Sequence, residues 1–479
     1  MEKEQIDLAW ASLQIGETGL YNENITSENL QAQLISDGAK IEDVSDLGDS
    51  YLVKYESGNV YVVSEDGEIS EVTEPNVDAE KIPQLWMATK ITDEEWYSYN
   101  DVSNGNTKAN VNFPKLKGNM TAVKYSGADA ETQTGSKWAN AITADGSMWV
   151  WIPRYAYKIT YTDTNDRGTG GTIEVAFINT SNKFLNGESG EITTNPEEEG
   201  AGTTKWLVHP AFTSNATYGG GFGELSGIWI GKFEATGTYN TESETGTLTV
   251  KPGEPSLCGM TINQQYKLAK SSTFGETVSI NSHMAKNSEW GMLAYLAHSK
   301  YGTNGQKVEN NNGGYRAGGT STPSTIYTTN KKQSTTHNAT GVYDMNGGAW
   351  ERTASYVYIS SSSNLQTNGG LESGDLYGAN AEEQSKSTAY KTVYESVNNQ
   401  ATDYTTAKKY KGDAVYETSN SQSSGTGSWF SAYAYFPSSG NPFFGRGGYS
   451  GNSNAGTFCF NHYGGNAYSS YSFRPVLAF

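Results

Sequence analysis

The spacing of apolar residues predicts two short helices followed by a small sheet at the start of the chain. In the opening segment "EKEQIDLAWASLQIG", Ile6, Trp10 and Leu13 recur at helical spacing. A second helix is predicted in "TSENLQAQLISDG", with Thr26 as its N-cap and its end at Gly38. The period then changes to two over residues 50–72, which predicts three antiparallel strands joined by tight turns.

From Met148 onward the pattern predicts strands, one strong helix and long loops. "MWVWIPRYAYKITY" predicts an apolar strand and then an alternating one, and "SGIWIGKFEATG" (226–237) predicts another apolar strand. Within 281–301, Trp290, Leu293 and Leu296 recur at helical spacing, with Asn287 as the predicted N-cap. Segments rich in Gly, Asn, Ser and Thr follow at about 302–340 and 360–428. Loops of that length in a compact domain usually either bind a ligand or are disordered.

Length and composition favour an α+β protein of more than one domain. A chain of 479 residues exceeds what one hydrophobic core usually covers. Residues 1–76 are predicted to form a helix-plus-antiparallel-sheet module, 77–147 a connector with some structure, and 148–479 a larger domain. The content of 54 Gly, with 12% aromatic residues, suits short strands and long loops better than helical bundles.

Charge is distributed unevenly along the chain. The formal net charge is −19, which argues against a nucleic-acid partner because a phosphate backbone requires clustered Lys and Arg. Residues 1–76 hold 17 acidic residues against three lysines, whereas residues 430–479 hold no acidic residue and two arginines. The two ends of the chain therefore have different tasks.

No motif for catalysis, metal binding or membrane insertion stands out. The two cysteines, Cys258 and Cys459, lie about 200 positions apart, so they form no metal-binding pair and imply no disulfide framework. The five histidines have no metal-ligand spacing, and no catalytic residue is predicted. No apolar run approaches the roughly 18 residues that a membrane span needs. Structural calcium is left open, because Asn and Asp are plentiful but no coordination run appears.

Four segments occur in the order typical of a known family. "GIWIGKFEAT" (227–236), "NSEWGMLAYLA" (287–297), "GVYDMNGGAWE" (341–351) and "RGG" with "SFRP" (446–448 and 472–475) resemble the formylglycine-generating-enzyme-like branch of the C-type lectin fold. The resemblance covers 148–479 and implies that fold. Trp229, Trp290, Tyr343 and Trp350 are expected in the core. Arg446 and Arg474 are expected to anchor loops through hydrogen bonds to carbonyl groups.

The same resemblance raises an enzymatic alternative. The formylglycine-generating enzyme is a copper-dependent oxidase that uses two neighbouring cysteines in the C-terminal part of its domain. Here only Cys459 lies in that part, and a two-thiolate copper site needs a second soft ligand nearby. No cofactor is therefore expected, and the oxidase remains the alternative to a non-enzymatic protein.

The C-terminal stretch resembles the variable region of proteins diversified by retroelements. "SWFSAYAYFPSSGNPFFGRGGYSGNSNAGTFCFNHYGGNAYSSYSFRPVL", within about 429–479, is similar to that region, in which adenines are randomised during reverse transcription. Asn codons randomised in this way cannot encode Lys, Glu, Gln, Met or Trp. Residues 430–472 contain none of these five types. An undiversified relative of the same fold is the alternative.

Strand alternation divides this stretch into a framework and a contact surface. In "GTFCFNHYG", Phe458 and Phe460 share the predicted core face, and Cys459, Asn461 and Tyr463 share the exposed one. The predicted framework comprises Trp429, Phe436, Pro442, Phe444, Arg446, Gly447, Gly448, Gly456, Phe473, Arg474 and Pro475. The predicted ligand-contact residues are Phe430, Ala432, Tyr433, Ala434, Asn441, Tyr449, Asn452, Cys459, Asn461, His462, Tyr463, Tyr468, Ser469 and Tyr471.

The first 76 residues resemble type IV pilin-like proteins of Gram-positive bacteria. The resemblance implies an apolar helix before residue 1, display at the cell surface, and contact with pilus subunits through the N-terminal helix. A plain packing or oligomerisation helix is the alternative.

Together these features predict a non-enzymatic receptor or adhesin that binds a protein or glycan at its C-terminal surface. The alternatives are the copper-dependent oxidase and an undiversified structural subunit of a cell surface or a phage tail tip.

Overall fold

The computed structural model describes most of the chain. The described residues are 2–15, 25–46, 50–55, 60–64, 69–71, 114–123, 138–185, 188–319, 327–395, 407–420 and 423–479. The fold is α+β and divides into two compact units, residues 1–91 with 122–126, and residues 92–121 with 127–479. No helix among the described residues is long and apolar enough to cross a membrane.

The N-terminal unit consists of two helices and a four-stranded antiparallel sheet. Its elements are α1 (Glu2–Ile15), α2 (Ser27–Ser36), β1 (Ile41–Asp46), β2 (Ser50–Tyr55), β3 (Val60–Ser64) and β4 (Ile69–Glu71), with the strands in sequential order. Ile6, Trp10, Leu30 and Leu34 form its core together with strand residues such as Val53. The helical spacing of these apolar residues determines which helix faces are buried.

Both predicted helices and the three predicted strands of this unit are present, and one strand was missed. Thr26 caps α2, since its hydroxyl accepts a hydrogen bond from the Asn29 backbone N–H at 3.3 Å. The additional strand, β1, has the sequence "IEDVSD", in which only Val44 is a buried apolar residue. Too few apolar positions alternate there to predict a strand. The tight turns predicted between these three strands lie outside the described residues.

The remaining chain contains nineteen described strands and four described α-helices. The strands are β5 (Thr121–Val123), β6 (Asn140–Ile142), β7 (Met148–Pro153), β8 (Tyr155–Tyr161), β9 (Gly171–Phe177), β10 (Ile192–Thr193), β11 (Trp206–Val208), β12 (Gly227–Gly231), β13 (Thr236–Asn240), β14 (Thr245–Thr249), β15 (Ser282–Met284), β16 (Trp350–Val357), β17 (Thr392–Tyr394), β18 (Ser423–Ser428), β19 (Ala432–Tyr435), β20 (Phe443–Gly447), β21 (Gly456–Tyr463), β22 (Tyr471–Phe473) and β23 (Pro475–Leu477). The helices are α3 (Ile262–Ser271), α4 (Asn287–His298), α5 (Ser363–Gly369) and α6 (Ala381–Ser385).

A central sheet joins the last strand of the chain to the first apolar strands of this unit. Its strands include the consecutive neighbours β15, β23, β12, β7 and β6. Trp229 of β12 lies between Trp151 of β7 and Leu477 of β23 in antiparallel register. The apolar strands predicted at 148–153 and 227–231 are confirmed, and they are continuous apolar runs because both of their faces are buried.

Helix α4 crosses the interior of this unit. All twelve of its residues are buried, including Ser288 and Glu289. The predicted helix is confirmed, but Asn287 is its first residue rather than its N-cap. Lys286 takes the N-cap position, where its backbone N–H donates to the Glu289 carboxylate at 2.8 Å. The Asn287 side chain instead accepts a hydrogen bond from the Thr353 hydroxyl at 2.9 Å.

The C-terminal sheet contains most of the Tyr-rich stretch that was predicted to be a variable region. Its strands follow the order β17, β16, β20, β21, β19 and β18, and β22 pairs with β16. Trp350 at the start of β16 lies opposite Tyr471 of β22. Because β19, β20, β21 and β22 all belong to this sheet, most of the predicted variable region is held on one regular scaffold.

Buried arginines hold loops of this unit, as predicted. Arg446 donates to the carbonyl groups of Asp413 (3.2 Å) and Ala414 (3.0 Å). Arg474 donates to the Gly231 carbonyl at 2.7 Å and forms a buried ion pair with Glu351, whose carboxylate lies 2.9 Å from Nε. Burial raises the pKa of Glu351 to about 7 despite this partner. The expected core aromatics Trp229, Trp290, Tyr343 and Trp350 are buried.

Candidate functional site: a tyrosine-rich surface on the C-terminal sheet

The most distinctive surface of the C-terminal sheet is a cluster of tyrosines around Trp350. The Trp350 ring centroid lies 5.4 Å from that of Tyr463, 6.3 Å from that of Tyr433 and 6.5 Å from that of Tyr449. The cluster continues through Tyr471, whose ring centroid is 4.5 Å from that of Tyr463 and 5.2 Å from that of Tyr468. We call Trp350 and these tyrosines the tyrosine face; its members are Tyr433, Tyr449, Tyr463, Tyr468, Tyr471 and Trp350.

The strand register explains why these rings meet. Tyr463 ends β21, and Gly445 of the neighbouring β20 lies beneath its ring. A side-chain carbon on Gly445 would lie 2.5 Å from the Tyr463 ring and 3.6 Å from Trp350. Glycine at this position therefore allows both rings to pack across the strand.

The tyrosines form a layer over a small buried cluster. Ala432, Cys459 and Trp350 are buried beneath the half-buried rings of Tyr433, Tyr463 and Tyr471. Tyr449 and Tyr468 are more exposed, with 41% and 51% of their surface accessible. The inner rings are thus fixed by packing, and the outer ones are available for contact.

One further tyrosine belongs beside this surface although it lies far away in sequence. Tyr315, which is 38% exposed, lies in a Gly- and Asn-rich segment at 302–319. The backbone N–H of Gly314 donates to the Ser450 hydroxyl at 3.2 Å, next to Tyr449. Burial and then the adjacent Tyr449 raise the pKa of Tyr315. The sequence offered one signal for this residue, a single aromatic residue inside a polar loop.

A cation lies beneath the tyrosine face. The guanidinium carbon of Arg352 is 4.7 Å from the Tyr471 ring centroid, and the side chain is fully buried. Arg352 donates to the Met260 carbonyl at 2.9 Å and to the Asn466 carbonyl. Burial lowers its pKa to about 10, so the guanidinium stays charged at neutral pH. The cation–π contact orients the Tyr471 ring.

The phenol groups of the face act as neutral hydrogen-bonding groups. Burial and then the Tyr471 hydroxyl raise the pKa of Tyr463 well above its ordinary value. Burial also raises the pKa of Tyr471. The Asn461 amide donates to the Tyr463 hydroxyl at 3.1 Å. At neutral pH the face therefore offers aromatic area and hydroxyl groups without any anionic side chain from residues 430–479.

The predicted contact residues fall into three groups by exposure. Tyr449, Tyr468 and Ser469 are exposed. Those that are half-buried are Phe430, Tyr433, Asn441, Asn461, His462, Tyr463 and Tyr471. Those that are buried are Ala432, Ala434, Asn452 and Cys459.

The expected exposure of the four buried residues was wrong. Cys459 has no accessible surface because the tyrosine rings above it cover that side of β21, so alternation alone gave the wrong environment. Ala434 packs in an aromatic core with Phe436 and Phe444, and Ala432 belongs to the cluster under the rings. Asn452 is enclosed in its loop, where its carbonyl accepts a hydrogen bond from Asn310 at 3.1 Å.

Some predicted contact residues lie outside the tyrosine face. The Phe430 ring is near His298 and Phe458, with centroid distances of 5.7 and 6.2 Å. Asn441 is part of a tight turn with Ser438. His462 packs against Tyr435 at 5.8 Å. Tyr435 in turn lies 5.7 Å from Tyr433 and continues the row of rings, although it was not predicted as a contact residue.

The two cysteines lie in environments that favour the protonated thiol. Both thiols are free, and burial raises the pKa of each, to about 12 for Cys459. Within the part of the chain that the structure describes, no group of three or more His, Cys, Asp or Glu side chains is arranged to hold a metal ion. Protonated, buried thiols are poor copper ligands and poor nucleophiles.

The chain matches no protein-family model and no curated protein.

Proposed function

We propose that this protein is a non-enzymatic receptor or adhesin whose tyrosine face binds a protein or glycan ligand. The observation that carries the proposal is the convergence of Tyr315, Tyr449 and Tyr468, from three separate loops, beside a layer of rings packed on Trp350. Isolated exposed aromatics are common on proteins, but a clustered set on a rigid sheet is typical of binding surfaces.

The chemistry of the surface suits recognition by shape. Tyrosine offers a large contact area with only two side-chain torsions to immobilise, and its hydroxyl group can donate or accept a hydrogen bond. The layer beneath holds Tyr463 and Tyr471 in place before a ligand arrives, which reduces the entropy lost on binding. The absence of acidic residues from 430–479 avoids the cost of desolvating a carboxylate at the contact.

The finer proposal is that residues 148–479 adopt a C-type lectin fold of the formylglycine-generating type, with a diversified C-terminal surface displayed on a pilin-like module outside the cell. The division of the C-terminal region into buried scaffold residues and surface tyrosines supports this finer proposal. Residues such as Trp429, Phe458 and Arg446 are buried scaffold, and the tyrosines between them reach the surface. The observed environment of the thiols favours this proposal over the copper-dependent oxidase.

A binding experiment tests the role of the tyrosine face. The purified 479-residue chain is applied to an array of extracellular proteins and to an array of glycans, alongside Tyr449→Ala/Tyr468→Ala and the matched control Leu371→Ala. Leu371 is 51% exposed and lies outside the tyrosine face. Central aromatic residues often contribute about 2 kcal/mol or more, so the double variant should bind a genuine ligand at least 30-fold more weakly. Retention of every interaction by the double variant would refute the proposal.

Two independent observations test the oxidase alternative and the proposed diversification. If copper-loaded protein oxidised a cysteine-containing peptide, and Cys459→Ser lost this activity, the oxidase would replace the binding proposal.

For diversification, the gene should lie near a reverse transcriptase and a near-repeat of its 3′ end whose mismatches fall at adenines. Mismatches spread over all four bases would exclude it.

A further inference from the structure

A second concave site lies in the larger unit and shares no described lining residue with the tyrosine face. It is a cavity of about 570 Å³ beside the short 3-10 helix Arg167–Thr169, and its walls come from the loop at 196–203 and the segment at 408–417. We call it the basic cavity and define it by Arg167, Lys408, Lys409, Lys411, Glu199 and Glu417. Its volume suits a ligand of sugar size.

Three of its four cations have no carboxylate partner. Lys409 is paired with Glu395. Within the described ranges, no carboxylate lies within ion-pair distance of Arg167, Lys408 or Lys411. Lys411 is half-buried, and its ammonium group donates to the Ala201 carbonyl at 2.9 Å. Burial lowers the pKa of Lys411, and the nearby Glu417 carboxylate opposes this shift.

Arg167 is held in position with its terminal nitrogens available. Its Nε donates to the Tyr416 carbonyl at 2.9 Å, and its guanidinium carbon lies 4.0 Å from the Tyr416 ring centroid. The ring and the carbonyl fix the plane of the guanidinium group. Its two terminal nitrogens make no hydrogen bond to a residue that the structure describes, so they can bind an anion in a bidentate manner.

The exposed acids of the cavity wall are mostly engaged elsewhere. Glu198 is paired with Lys205. Glu197 accepts a hydrogen bond from the hydroxyl of Tyr218. Neither Glu197 nor Glu199 is paired with a described cation. Three cations without an ion-pair partner therefore share the cavity wall with two such surface acids.

The fourth acid, Glu417, is buried at the cavity and has one unpaired oxygen. Its Oε2 accepts hydrogen bonds from the hydroxyls of Tyr157 (2.7 Å) and Tyr295 (3.0 Å) and from the Gly412 N–H (2.7 Å). Its Oε1 is buried and has no hydrogen-bond partner. Burial raises the pKa of Glu417, whereas its hydrogen bonds from Tyr157 and Gly412 and the charge of Lys411 lower it.

We propose that the basic cavity binds a small phosphomonoester, with the phosphate group between Arg167, Lys408 and Lys411. The fork of Arg167 matches two phosphate oxygens, and the ammonium groups of Lys408 and Lys411 supply two further positive charges for a dianion. The rest of the cavity leaves room for a body of sugar size against Tyr161 and Tyr416, which also line it. The site is independent of the proposed function of the tyrosine face.

Calorimetric titration of the full chain at low salt tests this site with four probes: glucose 6-phosphate, inorganic phosphate, glucuronate and glucose. Glucose 6-phosphate should bind saturably at one site, inorganic phosphate more weakly, glucuronate more weakly than the phosphomonoester, and glucose not at all. Equal binding of glucose and glucose 6-phosphate, or no saturable binding of the phosphomonoester, would overturn the proposal. Tighter binding of glucuronate would also overturn it, because the site would then prefer a carboxylate.

Variants locate the site. Lys408→Gln and Arg167→Gln should each raise the Kd for glucose 6-phosphate about tenfold, since a hydrogen bond to a charged group contributes about 1.5–3 kcal/mol. The matched control Lys386→Gln removes an exposed lysine that is paired with Glu382 and does not line the cavity. It should leave the Kd unchanged, as should Tyr449→Ala/Tyr468→Ala. An equal effect of Lys408→Gln and Lys386→Gln would contradict the assignment, provided that circular dichroism shows both variants folded.

Discussion

Single buried residues determine how the stability of this protein responds to pH. His209 has no accessible surface; its Nε2 lies 2.7 Å from the Gly412 carbonyl oxygen and its Nδ1 accepts a hydrogen bond from the Ala211 N–H at 3.3 Å. Nε2 therefore carries the proton and donates it. Burial lowers the pKa of His209 from 6.5 to about 3, so the folded protein keeps a neutral imidazole.

We predict that His209 destabilises the fold progressively in acid. The unfolded chain takes up the proton near pH 6.5, whereas the folded state resists it down to about pH 3. The stabilising contribution is thus complete above pH 6.5 and is lost as the pH falls, by about 1.4 kcal/mol per pH unit at most. In urea unfolding at pH steps from 7 to 4.5, the stability of the wild type relative to His209→Gln should fall with this slope.

The comparison with His209→Gln is needed because Glu351 and Asp413 also change the stability of the fold in this pH range. Burial raises the pKa of each to about 7, so both stabilise the fold more as the pH falls through the same window. Their effect is common to the wild type and His209→Gln and cancels in the difference. Equal slopes for the two proteins would show that His209 is not held neutral by burial.

The buried ion pair of Arg474 with Glu351 gives a second prediction at the residue scale. Arg474→Met leaves the Glu351 carboxylate without its cation and the Gly231 carbonyl without its donor. Breaking a buried pair in this way costs about 3–5 kcal/mol of unfolding free energy. The exposed pair of Lys386 and Glu382 supplies the control. Lys386→Met should leave the urea midpoint unchanged, because exposed pairs contribute little; equal shifts for the two variants would rule out a structural role for Arg474.

At the scale of elements, β21 tests how far alternation determines the environment of a residue. Phe460 is buried, packs with the aromatic core that includes Phe444, and was predicted there from spacing alone. Its neighbour Asn461 is half-buried and bonded to the Tyr463 hydroxyl. Cys459, on the same predicted side as Asn461, is nevertheless buried. The side of β21 that carries Cys459 and Asn461 is therefore also partly buried, because Cys459 packs in a smaller cluster with Ala432 and Trp350.

We predict different costs for two adjacent substitutions in this strand. Phe460→Ala should lower the unfolding free energy by about 3–5 kcal/mol, because it leaves a cavity among aromatic side chains. Asn461→Ala should cost about 1 kcal/mol, the contribution of one part-buried hydrogen bond. Urea unfolding measures both. A larger loss of unfolding free energy in Asn461→Ala than in Phe460→Ala would contradict the inference that Phe460 lies on the core side of β21.

At the scale of the whole molecule, two compact units have separate cores. Leu34 has no accessible surface and belongs to the core of the N-terminal unit, with Ile6, Trp10 and Leu30. We predict two calorimetric unfolding transitions. Leu34→Ala should lower only one of them, since burial of a leucine side chain is worth about 2–5 kcal/mol within its own cooperative unit. A common shift of both transitions would show that the units unfold together.

The sequence alone determined the local elements of this protein. The apolar periods predicted α1, α2 and α4, the strands at 50–72, and the apolar strands β7 and β12, because periodicity reflects which sides of an element are buried. The resemblance of the motif segments to a known family led to the prediction that Arg446, Arg474 and the large aromatics lie in the interior. The composition also marked the C-terminal stretch as a surface rich in tyrosine and free of acidic side chains.

Only the tertiary structure decided which of these residues share a surface. Tyr315 reaches the side of Tyr449 through a loop more than a hundred residues away, and Arg352 lies beneath Tyr471. Cys459 is buried because rings from other strands cover it. The basic cavity likewise combines residues near 167, 200 and 410. The local spacing of apolar residues shows which side of one helix or strand is buried. The exposure and charge of a site depend instead on which distant segments of the chain pack around it.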